Sequence, residues 1–181
     1  MANVFVFLTD GFEEIEALAT VDVLRRAQLD VQTVSLTGER QVTGGHQVTV
    51  QADVLFEMAD FSAAQMLVVP GGTVKYAEHD GLKQRLLAFA QQGGKVAAIC
   101  ASPALLGGIG LLQGKNATCY PGFEDRLTGA RLQAGSAVVV DGLVTTGRGP
   151  GLTLDFALAL VEQLAGKAKR DEVAGQLLLA H

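Results

Sequence analysis

Short apolar runs of strand length alternate with helical patterns along almost the whole chain, and this alternation most limits the possible folds. Val4–Leu8 is wholly apolar, and similar runs follow at Met66–Val69 and at residues 96–99. Runs without a polar face are typical of strands that are covered on both sides, as in parallel sheets. The alternation therefore predicts an α/β fold, with a mostly parallel sheet and helices on both faces.

Helical spacing is clearest in residues 13–27, where an apolar side chain recurs every third residue and predicts a buried face made of Ile15, Leu18, Val21 and Leu24. Glycine pairs or Asp-Gly between strand-like runs predict hairpins, because such residues supply the positive φ angles of tight turns. Further helices are predicted at 82–91, after Gly151 and at 171–180, and hairpins at 42–50, through Gly44-Gly45, and at 137–146, through Asp141-Gly142.

The composition indicates one domain spanning residues 1–181 with a substantial core, since 49% of the residues are hydrophobic and 18% are charged. The net charge of −5 argues against nucleic acid as a partner, because neutralising phosphates requires clustered Lys and Arg. No stretch approaches the roughly 18–20 apolar residues of a membrane span, so no membrane association is expected.

Cysteine usage and the first residues bear on the cellular compartment. The chain has two cysteines, Cys100 and Cys119, and its first apolar run stops at Thr9-Asp10 without a basic leader. This run is interpreted as a buried strand and not as a signal peptide. We therefore expect a cytoplasmic protein with free thiols.

Several loops follow directly after predicted strands and share a high glycine content: 9–11, 70–72 and 147–151. In parallel α/β sheets, ligands bind beyond the carboxyl ends of the strands. In any one of these loops, a tight turn between a strand and a helix is enough to explain the glycine. Its recurrence along one edge favours a binding site there.

Cys100 stands where a buried strand gives way to a helix. Ser102 is a suitable N-cap, and Pro103 suits the first helical turn, where its missing N–H costs nothing. A thiol at such a corner faces backbone N–H groups and the positive end of a helix dipole, which predicts a pKa below the usual value of about 8.5. The alternative is an inert core thiol, since free cysteine is among the most buried residue types.

Glu16 is the second candidate, because it shares a helix face with small or apolar residues: Ala19, Thr20, Val23 and Ala27. A covered carboxyl has its pKa raised by desolvation, so it can stay protonated and hydrogen-bond a neighbouring thiolate. The alternative is a partly exposed glutamate without a role. Glu13 and Glu14 are explained by the preference of a helix's first turn for acids.

Other chemistries find little support in the residues. The histidines are His46, in a predicted hairpin turn, His79, in a polar segment, and His181, and surface positions are expected for the first two. There is no His/Cys cluster at the spacing of metal ligands, so no metal site is predicted. Residues 107–114 approach a dinucleotide fingerprint, but Gln113 fills the last glycine position.

The motifs together resemble the ThiJ/PfpI family, in the branch of the parkinsonism-associated protein deglycase and its bacterial relatives. The resemblance covers almost the whole chain and rests on five segments: 10–16 (DGFEEIE), 21–27 (VDVLRRA), 68–72 (VVPGG), 97–103 (AAICASP) and 148–151 (RGPG). It implies a flavodoxin-like three-layer α/β/α sandwich, similar to class I glutamine amidotransferases, with the cysteine on a nucleophile elbow. It also implies a homodimer that works without a cofactor.

Carried over by position, the resemblance implies roles for individual residues. Cys100 is then the nucleophile and oxidation-sensitive thiol, and Glu16 the protonated carboxyl that hydrogen-bonds its sulfur. The backbone N–H groups of Gly72 and Ala101 form the oxyanion pocket. Arg26 is expected near the dimer interface and the site mouth. The remaining neighbours of the site are Gly71, Ser102, Tyr120 and Arg148.

Two departures from the family pattern matter. Protease-like relatives carry histidine directly after the cysteine, whereas Ala101 stands there in this chain, which argues against proteolysis. Tyr120 replaces the histidine of the parkinsonism-associated protein's Thr-His-Pro segment. A phenol can donate a hydrogen bond but is a poor base at neutral pH.

The resemblance implies a deglycase or glyoxalase that acts on methylglyoxal, glyoxal or their early adducts on amino acids and proteins. An oxidative-stress sensor or chaperone working through oxidation of Cys100 requires the same activated thiol, so the sequence leaves both open. A role in thiamine biosynthesis, at the thiazole monophosphate step, is attached to the family name. It ranks third, because no adequate phosphate site is recognisable.

Overall fold

The computed structural model describes residues 3–179, and eleven strands lie within that range. In chain order they are β1 (Val4–Leu8), β2 (Val31–Ser35), β3 (Gln41–Thr43), β4 (Thr49–Gln51), β5 (Val54–Leu55), β6 (Met66–Val69), β7 (Lys95–Ile99), β8 (Asn116–Ala117), β9 (Arg131–Leu132), β10 (Val138–Asp141) and β11 (Val144–Gly147). Seven form one sheet in the order β10-β11-β7-β6-β1-β2-β5. Its neighbours are parallel except for β10 and β11.

Helices cover both faces of this sheet. They are α1 (Thr20–Arg26), α2 (Asp80–Gln91), α3 (Pro103–Gly108), α4 (Thr153–Ala165) and α5 (Lys167–Gln176). Val4 and Val6 of β1 belong to one apolar cluster with α1, α4 and α5, whereas Phe5 and Phe7 belong to a second cluster with α2 and α3. This alternation of side chains across β1 explains why the run has no polar face. The predicted three-layer flavodoxin-like sandwich is confirmed.

The helix predicted at 13–27 differs from the expectation at its start. Residues Ile15–Ala19 form a π-helical turn that runs directly into α1. The wider turn rotates the helix, so that Ile15 is 56% exposed and Leu18 36%, while Glu16 and Ala17 are buried. The predicted buried face was therefore right at Val21 and Leu24 and wrong at Ile15 and Leu18.

Both predicted hairpins are present, but one turn uses a different residue. Gly142 has a φ of 63° between β10 and β11, as Asp-Gly turns require. Between β3 and β4 the positive φ, 66°, is found at Gln47 and not at Gly44 or Gly45. Gly44 serves another purpose: a Cβ there would lie 2.3 Å from Glu14 Oε1.

Two helix boundaries were also misplaced. The helix α2 begins at Asp80, two residues before the predicted start, because His79 Nδ1 accepts a hydrogen bond from the Leu82 N–H and caps it. The last helix, α5, begins at Lys167 and ends at Gln176, whereas residues 171–180 were expected. No helix within residues 3–179 is long and apolar enough to cross a membrane.

Candidate active site

Cys100 occupies a sharp elbow between β7 and α3 at the carboxyl edge of the sheet. Its φ of 68° lies in the left-handed region, which is strained by about 1–3 kcal/mol for a residue other than glycine. Two neighbours hold this conformation: the Cys100 N–H donates to the Gly147 carbonyl at 3.0 Å, and the Tyr120 N–H donates to the Cys100 carbonyl at 2.8 Å. The elbow therefore presents the thiol away from the strand.

Glu16 lies on the π-helical turn and is fully buried. Its Oε2 accepts a hydrogen bond from the Gly71 N–H at 2.7 Å, and its own N–H donates to Glu13 Oε2 at 2.7 Å. Oε1 is buried without a hydrogen-bond partner among the described residues. Oε1 is therefore the carboxyl oxygen on which a proton can reside and from which it can be passed on.

Gly71 brings the carboxyl and the thiol together. A Cβ built on Gly71 would lie 2.6 Å from Cys100 Cβ, 2.6 Å from Glu16 Oε2 and 3.1 Å from the Cys100 sulfur. Both side chains therefore occupy the space that a side chain at position 71 would fill. Only glycine leaves room for the pair.

The predicted oxyanion donors are placed beside the sulfur. The backbone N–H groups of Ala101 and Gly72 lie close enough to the Cys100 thiol to oppose the rise in its pKa. Gly72 has a φ of 95°, and a Cβ there would lie 2.3 Å from the Glu13 nitrogen, so its conformation also requires glycine. An oxygen atom bound to a carbon at the sulfur can reach the same two donors.

The electrostatics of the pair follow from burial. Desolvation raises the pKa of the Glu16 carboxyl to about 7, against the opposing effect of hydrogen bonds from the Cys100 thiol and the Gly71 N–H. A carboxyl with this pKa is populated in both protonation states at neutral pH. It can therefore accept a proton in one step and return it in the next.

The expected low pKa of Cys100 is wrong for the resting site. Burial, followed by the charge of Glu16 and its hydrogen bond, raises the pKa of Cys100 to about 12, and the N–H groups of Ala101 and Gly72 oppose this only in part. A thiol beside an ionised carboxylate keeps its proton, because two negative charges in one buried site repel each other. Converting this thiol to a thiolate therefore requires a base, and the Glu16 carboxyl lies beside it.

Ser102 does not cap α3 as predicted. It has helical φ and ψ angles and makes no side-chain capping bond, because its hydroxyl donates to the Pro70 carbonyl in the neighbouring loop. Pro103 occupies the first turn of α3, as expected. Ser102 thus ties the cysteine loop to the loop that carries Gly71 and Gly72.

Tyr120 adjoins the elbow, whereas Arg148 lies near Cys119. Tyr120 contacts Cys100 through its backbone, while its side chain is 44% exposed and borders Gly149. Cys119 is a buried free thiol. Burial raises the pKa of Cys119 to about 11, with Glu124 adding to the shift and the positive charge of Arg148 opposing it.

Arg26 is not brought to Cys100 within this chain. It lies in the last turn of α1, about 15 Å along the helix from Glu16 at 1.5 Å per residue, and its Nε donates to Asp22 Oδ2 at 2.7 Å. The expectation that Arg26 lies near the dimer interface and the site mouth stays a prediction.

A cluster that the sequence did not indicate joins the loop after β1 to the β3–β4 turn. Glu14 accepts hydrogen bonds from the His46 N–H at 2.6 Å and from its Nδ1 at 2.8 Å, and this contact raises the pKa of His46. Glu13, Glu14 and His46 offer ligand atoms within 4.8 Å of one another, which is compatible with a metal ion. His46 is exposed, as expected, and His181 lies outside the described residues.

Replacing Glu16 by glutamine is expected to change how stability depends on pH. The Glu16 pKa is about 7 in the folded protein against 4.5 ordinarily, so the native state holds more protons and stability falls as pH rises from about 4.5 to about 7. This loss amounts to about 3 kcal/mol at 1.36 kcal/mol per pKa unit. Urea unfolding of wild type and Glu16→Gln at pH 5 and pH 8 measures it.

The quantity to compare is the difference in unfolding free energy between the two pH values, taken for each protein. We expect the wild type to lose more on going to pH 8 than Glu16→Gln, which has no carboxyl to ionise at this position. Parallel changes in the two proteins would contradict a buried carboxyl that titrates near neutral pH.

Comparison with known proteins assigns this arrangement to a family. Residues 2–163 match the DJ-1/PfpI family. The chain is 38% identical over 183 residues to Protein DJ-1 homolog B of Arabidopsis thaliana, in an alignment that covers 98% of this chain and 41% of the plant protein. The chain thus spans less than half the length of that relative. It is 32% identical over 171 residues to the glutathione-independent glyoxalase DJR-1.2 of Caenorhabditis elegans, covering 93% and 91% of the two chains.

Solved structures agree with the sequence comparison. The crystal structure of Drosophila melanogaster DJ-1beta matches with a TM-score of 0.94 and 35% identity, and the alignment covers both chains completely. Oxidized DJ-1 of Toxoplasma gondii matches with a TM-score of 0.92 and 34% identity, again over both complete chains.

Proposed function

Because the chain belongs to the DJ-1/PfpI family, we propose that it is a cofactor-independent glyoxalase or deglycase that uses Cys100 as its nucleophile. The observation that carries this proposal is the contact of one buried carboxyl, one thiol and two backbone donors around Gly71. The C. elegans relative named as a glutathione-independent glyoxalase supports the substrate class. Methylglyoxal, glyoxal and their early glycation adducts are the proposed substrates.

The first step is attack of the Cys100 sulfur on the aldehyde carbon. The C–S bond forms as the thiol proton passes to the Glu16 carboxylate, and the π electrons of the carbonyl move to oxygen. The N–H groups of Gly72 and Ala101 stabilise the resulting alkoxide. Because Glu16 ionises near neutral pH, it can accept this proton without a permanently charged thiolate.

The second step moves hydrogen between the two carbons of the hemithioacetal. Glu16, ionised again by returning its proton to the alkoxide, removes the proton from the former aldehyde carbon and delivers it to the neighbouring carbon by way of an enediol. The product is a thioester of the hydroxy acid, which water hydrolyses to release the acid and restore the thiol. Methylglyoxal and water thus give lactate, with no external oxidant or reductant.

Lactate formation in the absence of glutathione tests this function. Purified protein is mixed with methylglyoxal, and lactate is measured by NMR against time. Lactate in many-fold excess over protein is the expected result. Loss of only one equivalent of methylglyoxal per chain, as a stable adduct on Cys100, would exclude turnover. To test for deglycation, lactate formation from a glycation adduct is measured while free methylglyoxal is trapped. A deglycase then gives a rate that depends on the adduct concentration.

A second candidate is an oxidative-stress sensor, favoured by the same two donors and by the relative that was solved in an oxidized form. Hydrogen peroxide would convert the Cys100 thiol to a sulfenic and then a sulfinic acid, each step adding one oxygen and releasing water. The N–H groups of Gly72 and Ala101 would stabilise the sulfinate. Stoichiometric oxidation without lactate formation would favour the sensor.

We also propose that the protein forms a homodimer and acts in the cytoplasm. Exposed apolar side chains support self-association: Ile15 and Leu18 lie on the outer face of the π-helical turn, and Val48 lies beside β4 in the hairpin that contacts Glu14. Burying these side chains against a second copy would be favourable. Light scattering of the purified chain measures its mass in solution.

A further inference from the structure

A cavity of about 390 Å³ lies beside the proposed active site and has no role in the chemistry described above. We call it the side pocket. Its wall is mostly apolar and includes Val74, Ala77, Ala104, Leu105, Gly108 and Phe123, and Asp125 and Arg126 are among the polar residues that line it. The guanidinium of Arg126 lies over the Phe123 ring, 5.4 Å from its centroid, which is within the distance of a cation–π contact.

The side pocket begins at the residues that hold the proposed oxyanion. Ala101, one of the two proposed oxyanion donors, lines the side pocket. So do Thr73, which follows Gly72 in the chain, and Ser102, which follows Ala101. A carbonyl group held by these two N–H groups therefore has the side pocket open next to it. A substituent on the substrate's carbonyl carbons can enter it.

The size of the side pocket exceeds what a three-carbon substrate needs. At about 30 Å³ for each water-sized group, the volume accommodates about a dozen heavy atoms, whereas methylglyoxal has five. The apolar wall suits a hydrocarbon or aromatic group, which would displace water from it. The polar side chains that line the side pocket include Thr73, Ser102, Asp125 and Arg126.

We propose that the side pocket is a specificity pocket, and that the enzyme acts on α-oxoaldehydes with an aromatic or branched apolar substituent in preference to methylglyoxal. This inference rests on the proposed function for its catalytic consequence. The binding of the substituent can be tested separately.

Gly108 offers a direct way to fill the side pocket. It is the last residue of α3, its φ is not positive, and nothing lies within 4 Å of a Cβ built there. Gly175 is the last but one residue of α5, on the opposite face of the sheet, and likewise has no positive φ and no atom within 4 Å of a built Cβ, so it serves as the control. Since leucine favours helices over glycine, both Gly108→Leu and Gly175→Leu are expected to fold.

Turnover of phenylglyoxal and methylglyoxal by these proteins tests the specificity. We expect kcat/KM of the wild type to be about ten-fold higher for phenylglyoxal. Gly108→Leu should remove about this factor for phenylglyoxal and leave methylglyoxal turnover within about two-fold, while Gly175→Leu changes neither. Equal effects of Gly108→Leu on both substrates, or no effect on either, would overturn the inference.

Alkylation of Cys100 tests the side pocket without turnover. Bromoacetone and phenacyl bromide each react by forming a bond between sulfur and the methylene carbon, as bromide leaves with its electron pair and the thiol proton passes to Glu16. The ratio of the two alkylation rates, followed by mass spectrometry and divided by the ratio for glutathione, isolates the contribution of the pocket. We expect a ratio of about ten in wild type and Gly175→Leu, and about one in Gly108→Leu.

The two experiments separate the possible failures. A high alkylation ratio that Gly108→Leu abolishes, without turnover of either oxoaldehyde, would refute the glyoxalase and retain the side pocket as a binding site. Turnover of methylglyoxal with alkylation ratios near one in all three proteins would retain the glyoxalase and refute the specificity pocket.

Discussion

Replacing Cys100 by serine is expected to lower methylglyoxal turnover by about three orders of magnitude or more. Serine is similar in size, so the hydroxyl occupies the place of the thiol beside Glu16 and the N–H groups of Gly72 and Ala101. It is a much weaker nucleophile, and a carboxylate with a pKa near 7 cannot readily remove its proton. The rate of lactate formation measures the loss.

Cys119 provides the matched control, because it is the other cysteine of the chain and is also buried. It faces Glu124 and Arg148, and burial keeps its pKa high, so Cys119→Ser should retain turnover within a few-fold. Substantial activity in Cys100→Ser, or an equal loss in both variants, would show that Cys100 is not the nucleophile.

Replacing Gly71 by alanine is expected to reduce turnover by about a hundred-fold or more, although Gly71 contributes no side chain to the chemistry. The added methyl group would overlap Cys100 Cβ and Glu16 Oε2, each 2.6 Å from its position, and force them apart. Misplacement of reacting groups by about 1 Å costs about this factor. Overpacking of the buried site should also lower the unfolding free energy by about 1–3 kcal/mol.

Gly151→Ala is the appropriate comparison for Gly71→Ala. Gly151 follows β11 on the same edge of the sheet, is exposed, and has no atom within 4 Å of a built Cβ. Urea unfolding and lactate formation are measured on both variants. A Gly71→Ala protein that is folded and fully active would mean that the contact between Cys100 and Glu16 is not required for turnover.

The edge of the sheet that carries the site could be predicted from the sequence, because chain order and apolar runs determine it. The strands that end at Leu8, Val69 and Ile99 are parallel and apolar, apart from Lys95 at the start of the last one, so their following loops must meet at one edge. The small and apolar companions of Glu16 on the helix favoured a covered carboxyl, although a partly exposed glutamate stayed open, and the side chain is buried.

Departures from regular α-helical geometry could not be predicted from the spacing of apolar residues. The π-helical turn adds a small rotation that no residue type signals, and it is this rotation that exposes Ile15 and Leu18. The glutamates at positions 13, 14 and 16 have the same side chain but different surroundings. Glu14 pairs with His46, whereas Glu16 is buried against Gly71.

The acidity of Cys100 illustrates a different limit. The local sequence predicts the strand end, the helix start and the N–H groups that favour a negative charge. It does not reveal how completely the thiol is buried, nor that a carboxylate lies beside it. These two effects come from residues far away in the chain, and they outweigh the local one.

The hydrogen bond between Glu16 and Gly71 joins residues that are 55 positions apart, and Cys100 lies farther along the chain still. Local segments cannot form this bond on their own, because closing so long a loop has an entropic cost that only the packed central strands offset. A partly folded chain would therefore carry an ordinary thiol. In the proposed function, the thiol becomes reactive only once the central strands have packed.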